Sequence, residues 1–171
     1  GYCFKGASVV TYRDVALKRR QHFLFDDWPG GLYGSATTAG TRPAAPIAAA
    51  WATIQHLGRD GYLAKARTVK AATDIFLRGV RSIDGLEVSG EPDMSLFEFG
   101  STTGDDATGA IGDVMDDRGW HLDRQQGGLH LMVSPGHLKV AEDFVADLGH
   151  AVAHHGASRG VAASYGGVVE S

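Results

Sequence analysis

Residues 44–57 read AAPIAAAWATIQHL. Six alanines together with Ile47, Trp51, Ile54 and Leu57 leave no polar face. A helix here has no side to turn to water, so it is expected to lie buried between other layers. Gly58 is its expected stop, because glycine accepts the left-handed turn that closes a helix. Directly in front stands 27–43, DWPGGLYGSATTAGTRP, with four glycines and four Ser/Thr hydroxyls. Two readings of that loop stay open. It is an ordinary connector, or it is an anion site. In the second case Gly30, Gly31, Gly34 and Gly40 let backbone N–H groups approach an anion, and Ser35, Thr37, Thr38 and Thr41 donate to its oxygens. The loop would then end at a helix N-terminus, whose dipole favours negative charge.

The flanking patterns set the layers. Gly6–Arg13 (GASVVTYR) is rich in β-branched and aromatic residues and predicts a strand. Asp14 is a candidate N-cap for a short turn over VALKRR, and His22–Asp27 is expected to be extended. A second helix begins near Asp60, with Leu63, Ala66, Val69, Ala72, Phe76 and Val80 at helical spacing and Lys65, Lys70, Asp74 and Arg78 opposite. Beyond Asp84-Gly85, Leu86–Val88 and Met94–Phe99 alternate as half-buried strands. Asp105–Arg118 is expected to be helical, Trp120–Leu122 and Gly128–Val133 to be strands, and His137–His154 a closing helix that carries Leu138, Phe144 and Leu148. The order helix, β, β, α, β, β, α describes an α+β unit, an antiparallel sheet with helices over one face. The tail 156–171, rich in Gly, Ala and Ser, is expected to lack order unless something docks it.

Several function classes drop out on charge and residue counts. Net charge is −4 and the longest basic run is Lys18-Arg19-Arg20, so no dense basic face is available for nucleic acid. No apolar run approaches ~20 residues, so no transmembrane segment is expected. Cys3 is the only cysteine, which leaves no internal disulfide and fits a reducing, cytoplasmic location. No base stands near Cys3 in sequence to activate it as a nucleophile. His150 and His154 have the i, i+4 spacing of two metal ligands, with His155 beside them. No HExxH pattern and no third ligand accompany them, so no metal site is expected. The loop at 30–41 is neither a GxxxxGK[ST] nor a GxGxxG motif, and the chain contains no GxSxG.

GYCFKGASVVTYR followed by DWPGGLYGSATTAGTRPAAPIAAAWATIQHLGRDGYL resembles the sphingosine-1-phosphate lyase branch of the group II pyridoxal-phosphate-dependent decarboxylases. That family carries an HKxGxxPKGxSxxxYR stretch and then a WxGGLYGSPTxAGSRPG loop leading into an alanine-rich helix. Arg118-Gly119-Trp120-His121 and Leu129-His130-Leu131 are similar to its later strands, and Ala163-Ser164-Tyr165-Gly166 to its terminal Tyr-Gly motif. Ala36 replaces the family's proline, and Phe4 replaces the proline before Lys5.

The resemblance implies a fold-type-I transferase-like α/β protein, of which this chain is a C-terminal part. Residues 1–43 would close the large cofactor domain, 44–83 would be connecting helices, 84–155 the small α+β domain and 156–171 a tail. It places the lysine that forms the Schiff base with pyridoxal 5'-phosphate just before Gly1, outside this chain, so the chain alone is expected to be inactive. It implies a homodimer in which loop 30–42 reaches the neighbouring subunit in trans, with Gly34 and Ser35 on the cofactor phosphate. Lys5 would act near the substrate phosphate or in proton transfer. Tyr33 and Arg42 would bind substrate, or pack and orient the loop. His121 and His130 are expected to be core histidines, and Trp28, Trp51 and Trp120 packing anchors. The implied reaction is carbon–carbon cleavage of a phosphorylated 2-amino-3-hydroxy compound to an aldehyde and an aminoalkyl phosphate. The alternatives are amino-acid decarboxylation, as in glutamate decarboxylases, or a non-catalytic dimerisation fragment.

Overall fold

A computed structural model of the chain describes residues 1–37 and 40–160, which fall into two compact units that divide after Arg59. Thr38, Ala39 and the Tyr165-Gly166 motif lie outside the described residues.

The first unit is held by local devices. Asp14 caps helix α1 (Val15–Arg19), its carboxylate accepting from the Leu17 N–H at 3.0 Å. Strands β1 (Phe23–Phe25) and β2 (Tyr33–Ser35) form an antiparallel hairpin in the register Phe23↔Ser35, Leu24↔Gly34, Phe25↔Tyr33. Three residues of the glycine-rich loop, Tyr33–Ser35, are therefore a return strand. Helix α2 (Ala44–Ser82) follows, interrupted at Gly58, whose backbone (φ 56°) leaves the helical region.

Two expectations fail here. Gly6–Arg13 forms no strand. β-branched residues favour a pleated surface, but a strand needs a neighbour to hydrogen-bond, and these residues find none among the described residues. The apolar run 44–57 is helical but not buried: Ile47, Trp51 and Ile54 are 57%, 66% and 54% exposed. Its pattern demands a cover that the described residues do not provide.

The second unit is the α+β layer. Strands β3 (Leu86–Val88), β4 (Leu96–Ser101), β5 (Asp123–Gln125) and β6 (Gly128–Met132) make an antiparallel sheet in the order β3-β4-β6-β5. Alternation puts Leu86, Phe97, Phe99, Leu129 and Leu131 on one face. Over that face lie the part of α2 after Gly58, α3 (Asp105–Asp117) and α4 (Ala141–His154). Val69, Ala72, Phe76 and Val80 of α2 are buried, as their spacing predicts, although Leu63 stays exposed. Phe144 stands edge-on to both Phe76 (5.1 Å) and Trp120 (5.3 Å), tying α2 and α4 to the approach to β5.

Smaller corrections concern ends. The strand expected at Trp120–Leu122 forms at Asp123–Gln125, where Asp123 pairs with His130. The closing helix starts as a 3-10 turn, Pro135–Lys139, before α4. Leu138 lies on that turn and is exposed.

Candidate functional site

The glycines of the loop are accounted for first by local packing. The Trp28 indole folds back over Gly30, where a Cβ would lie 2.6 Å from the ring, and its N–H donates to the Gly31 carbonyl. Gly31 has φ 79°, which few other residues adopt, and its N–H closes the turn on the Trp28 carbonyl at 3.2 Å. A Cβ at Gly34 would sit 3.2 Å from Leu24 Cδ2 on the paired strand. Three glycines thus build the hairpin before any ligand is considered.

Tyr33 packs within this turn, edge-on to Trp28 at 6.3 Å and tilted against Phe23 at 6.2 Å. Of the two roles open to it, orienting the loop has direct contacts behind it. Ser35 ends β2 with a half-buried side chain. Its hydroxyl accepts from the Thr37 N–H at 3.3 Å and donates to the Thr37 carbonyl, so it is held by its own loop.

Lys5 is exposed on irregular chain. Its neighbour Gly6 (φ 124°) rests against Pro46, where a Cβ would come within 2.9 Å of Cγ. Pro46 is buried in the first turn of α2, four residues beyond Arg42. The structure therefore brings the Lys5 segment to the start of the helix that the loop enters, and sets Tyr33, Gly34 and Ser35 together on β2. Among the described residues, neither Lys5 nor Arg42 has a hydrogen-bond or ion-pair partner.

Ser35 and Thr37 hydroxyls, the Gly34 backbone, Arg42 and the start of α2 are donors or positive ends. Each is a group from which a phosphate oxygen can accept a hydrogen bond or to which it is drawn by charge. Among the described residues no group of three or more His, Cys, Asp or Glu could hold a metal, and no helix is long and apolar enough to cross a membrane.

Two histidines fall differently than expected. His121 is exposed, its Nδ1 3.3 Å from Asp116 Oδ1. His130 is half-buried opposite Glu98, with Nε2 3.6 Å from Oε2, beyond hydrogen-bond reach. Both line a cavity of about 200 Å³ with Phe76, Trp120, His137 and Phe144.

Sequence reasoning missed a buried charge cluster on α3. Asp113 Oδ1 accepts from Arg124 Nη1 at 2.7 Å, and Oδ2 accepts from the Arg159 N–H at 2.6 Å. Burial alone would raise the Asp113 pKa, but these hydrogen bonds and both guanidinium charges outweigh it and hold the carboxyl below its ordinary value. The available signal was an aspartate three residues after Ala110, and so on the helix side that Ala110 shares.

No family model matches the chain. It is 38% identical to the sphingosine-1-phosphate lyase of Arabidopsis thaliana over 154 residues, which are 89% of this chain and 28% of that protein. The structure of Burkholderia pseudomallei sphingosine-1-phosphate lyase superposes with a TM-score of 0.72 at 40% identity, covering 84% of this chain and 33% of that one. Lactobacillus brevis glutamate decarboxylase shares the fold, with a TM-score of 0.53 at 16% identity over 79% of this chain and 33% of that one. The chain spans 21% to 28% of the length of the curated lyases it matches. It belongs with the sphingosine-1-phosphate lyases, as a relative covering a C-terminal portion of them, and has the fold of the group II decarboxylase family.

Proposed function

We propose that this chain is the C-terminal part of a carbon–carbon lyase that uses pyridoxal 5'-phosphate and cleaves a phosphorylated 2-amino-3-hydroxy amine to an aldehyde and an aminoalkyl phosphate. The observation that carries this reading is the Trp28–Ser35 hairpin, whose return strand sets Gly34 and the half-buried Ser35 hydroxyl side by side ahead of α2 in the chain. The similarity to sphingosine-1-phosphate lyases supports the lyase choice over amino-acid decarboxylation.

When bound, the cofactor supplies the electron sink for bond cleavage. This chain's residues do the holding. Ser35 would turn its hydroxyl from the Thr37 carbonyl to a phosphate oxygen, and the Gly34 backbone gives that oxygen close approach. Tyr33, wedged on Trp28 and Phe23, keeps the hairpin from shifting. Lys5 and Arg42, both free of protein partners among the described residues, would bind the substrate phosphate by charge.

The same reading makes residues 1–43 the end of a fold-type-I large domain and gives the hairpin to a neighbouring subunit of a homodimer. The uncovered face at Ile47, Trp51 and Ile54 supports a second copy as its cover.

Substrate choice separates the two chemistries. The enzyme containing this chain, given a phosphorylated sphingoid base, should release aldehyde and aminoalkyl phosphate in equal amounts. Carbon dioxide from free amino acids without any aldehyde would replace the lyase reading by decarboxylation. Ser35→Ala in the same enzyme should weaken pyridoxal 5'-phosphate affinity about 10-fold, the loss of one charge-assisted hydrogen bond.

A further inference from the structure

Asp113 is 4% exposed and joins two elements remote in sequence. Arg124 reaches it from β5, and Arg159 from the segment that follows α4. Arg159 also grips α3 with its side chain: Nη2 donates to the Asp113 carbonyl and, at 3.0 Å, to Asp117 Oδ1. The Ser158 hydroxyl lies 3.5 Å from Asp113 Oδ2 and accepts from the Gly160 N–H at 3.2 Å.

Two glycines of α3 make these approaches possible. A Cβ at Gly109 would stand 2.8 Å from Ser158 Oγ, and one at Gly112 would stand 3.0 Å from Arg124 Cζ. Glycine inside a helix weakens it relative to alanine. Here each leaves a notch that a partner fills. Ser158 and Gly160 in turn wall a cavity of about 250 Å³ whose other sides include Asp105, Thr108, Arg124 and Gly127.

We propose that residues 156–160 form a strap, latched to α3 by Asp113 and seated in the Gly109 notch, that closes one side of this cavity and opens it on release. The strap is separable from the domain core. Its attachments are polar and lie on one side of α3, whereas the core rests on Phe76, Phe144 and Leu148. Filling the notch therefore detaches the strap and leaves the fold intact.

Hydrogen exchange on the 171-residue chain tests the latch. Gly109→Leu puts a side chain in the place of Ser158 while keeping every charge and favouring the helix. Exchange of the Arg159 amide should accelerate at least 10-fold, with the Met115 and Leu148 amides unchanged. Trypsin should cut after Arg159 faster by a similar factor, relative to its cut after Arg20. Unchanged Arg159 exchange in this variant overturns the latch. Thr108→Cys in a Cys3→Ser background reports on the cavity. Maleimide labelling should be at least 10-fold faster when Gly109→Leu is added, and equal rates overturn the closing role.

Discussion

Trp120 donates its indole N–H to Oδ2 of Asp147 at 2.7 Å, and Arg118 donates Nε to Oδ1 of the same carboxylate at 2.7 Å. Gly119 between them has φ 88°, which turns the chain so that both neighbours face α4. The Arg-Gly-Trp motif is thus a staple from the end of α3 to α4, closed below by the Trp120 ring on Phe144. Its motif-like look comes from structure and requires no part in chemistry.

Removing the shared acceptor should show this. Asp147→Ala leaves the indole N–H without its acceptor and the guanidinium without its ion pair. It should destabilise the chain by about 1–3 kcal/mol. Asp147→Asn, which keeps an acceptor oxygen, should lose less. Urea midpoints of both variants check the order, and equal losses would mean that the negative charge carries the staple.

Acid sensitivity follows from two carboxyls. Hydrogen bonds from Trp120 and then Arg118 hold the Asp147 pKa below its ordinary 3.8. At Asp113 burial acts in the raising direction, but the Arg159 N–H, the Arg124 hydrogen bond and both charges prevail, again below 3.8. A lowered folded value means the contribution is fully present above the unfolded value and disappears as pH falls through the folded one. Stability owed to these groups should therefore be flat above about pH 5 and should fall below about pH 4. Asp113→Asn should flatten that acid limb in urea titrations from pH 3 to 7.

Gly79 on α2 faces Val145 on α4, and a Cβ there would overlap both valine methyls. Alanine would improve helix propensity by about 1 kcal/mol. Overpacking a branched side chain on a neighbouring helix costs about 1–3 kcal/mol. The clash should win, so Gly79→Ala should lower the melting temperature. A rise would show that α2 and α4 separate easily.

The exposed face of α2 before Gly58 gives a prediction about association. Trp51→Glu places a charge on a face formed by Ile47, Trp51 and Ile54. If a second copy covers it, the variant should shift sedimentation toward monomer by at least 10-fold in dissociation constant while leaving helix content unchanged. An unaltered sedimentation profile would remove this face from the interface.

Much of the second unit was legible because its elements are self-sufficient. Val69, Ala72, Phe76 and Val80 repeat at helical spacing, and Phe97 and Phe99 alternate across β4, so each pattern names its own buried side. The core they form lies inside the unit. Strand ends were less legible: Trp120 looks like a strand residue, yet its indole is taken by Asp147, and pairing begins only at Asp123. The Asp113 cluster was invisible because its partners stand 11 and 46 residues away in sequence.

In the first unit the sequence determined the composition of the hairpin and helix but not their surroundings. Trp28-Pro29-Gly30-Gly31 dictates a turn, because the indole covers one glycine and the other takes a positive φ. The same residues looked suited to phosphate, and the fold showed that the glycines first serve the turn. Val9 and Val10 suit a strand, and Ile47 and Trp51 suit a buried helix, yet pairing and burial are relations to other residues. Tertiary structure alone decides them, since a hydrogen-bond ladder and an apolar contact each need a second surface that no local pattern contains.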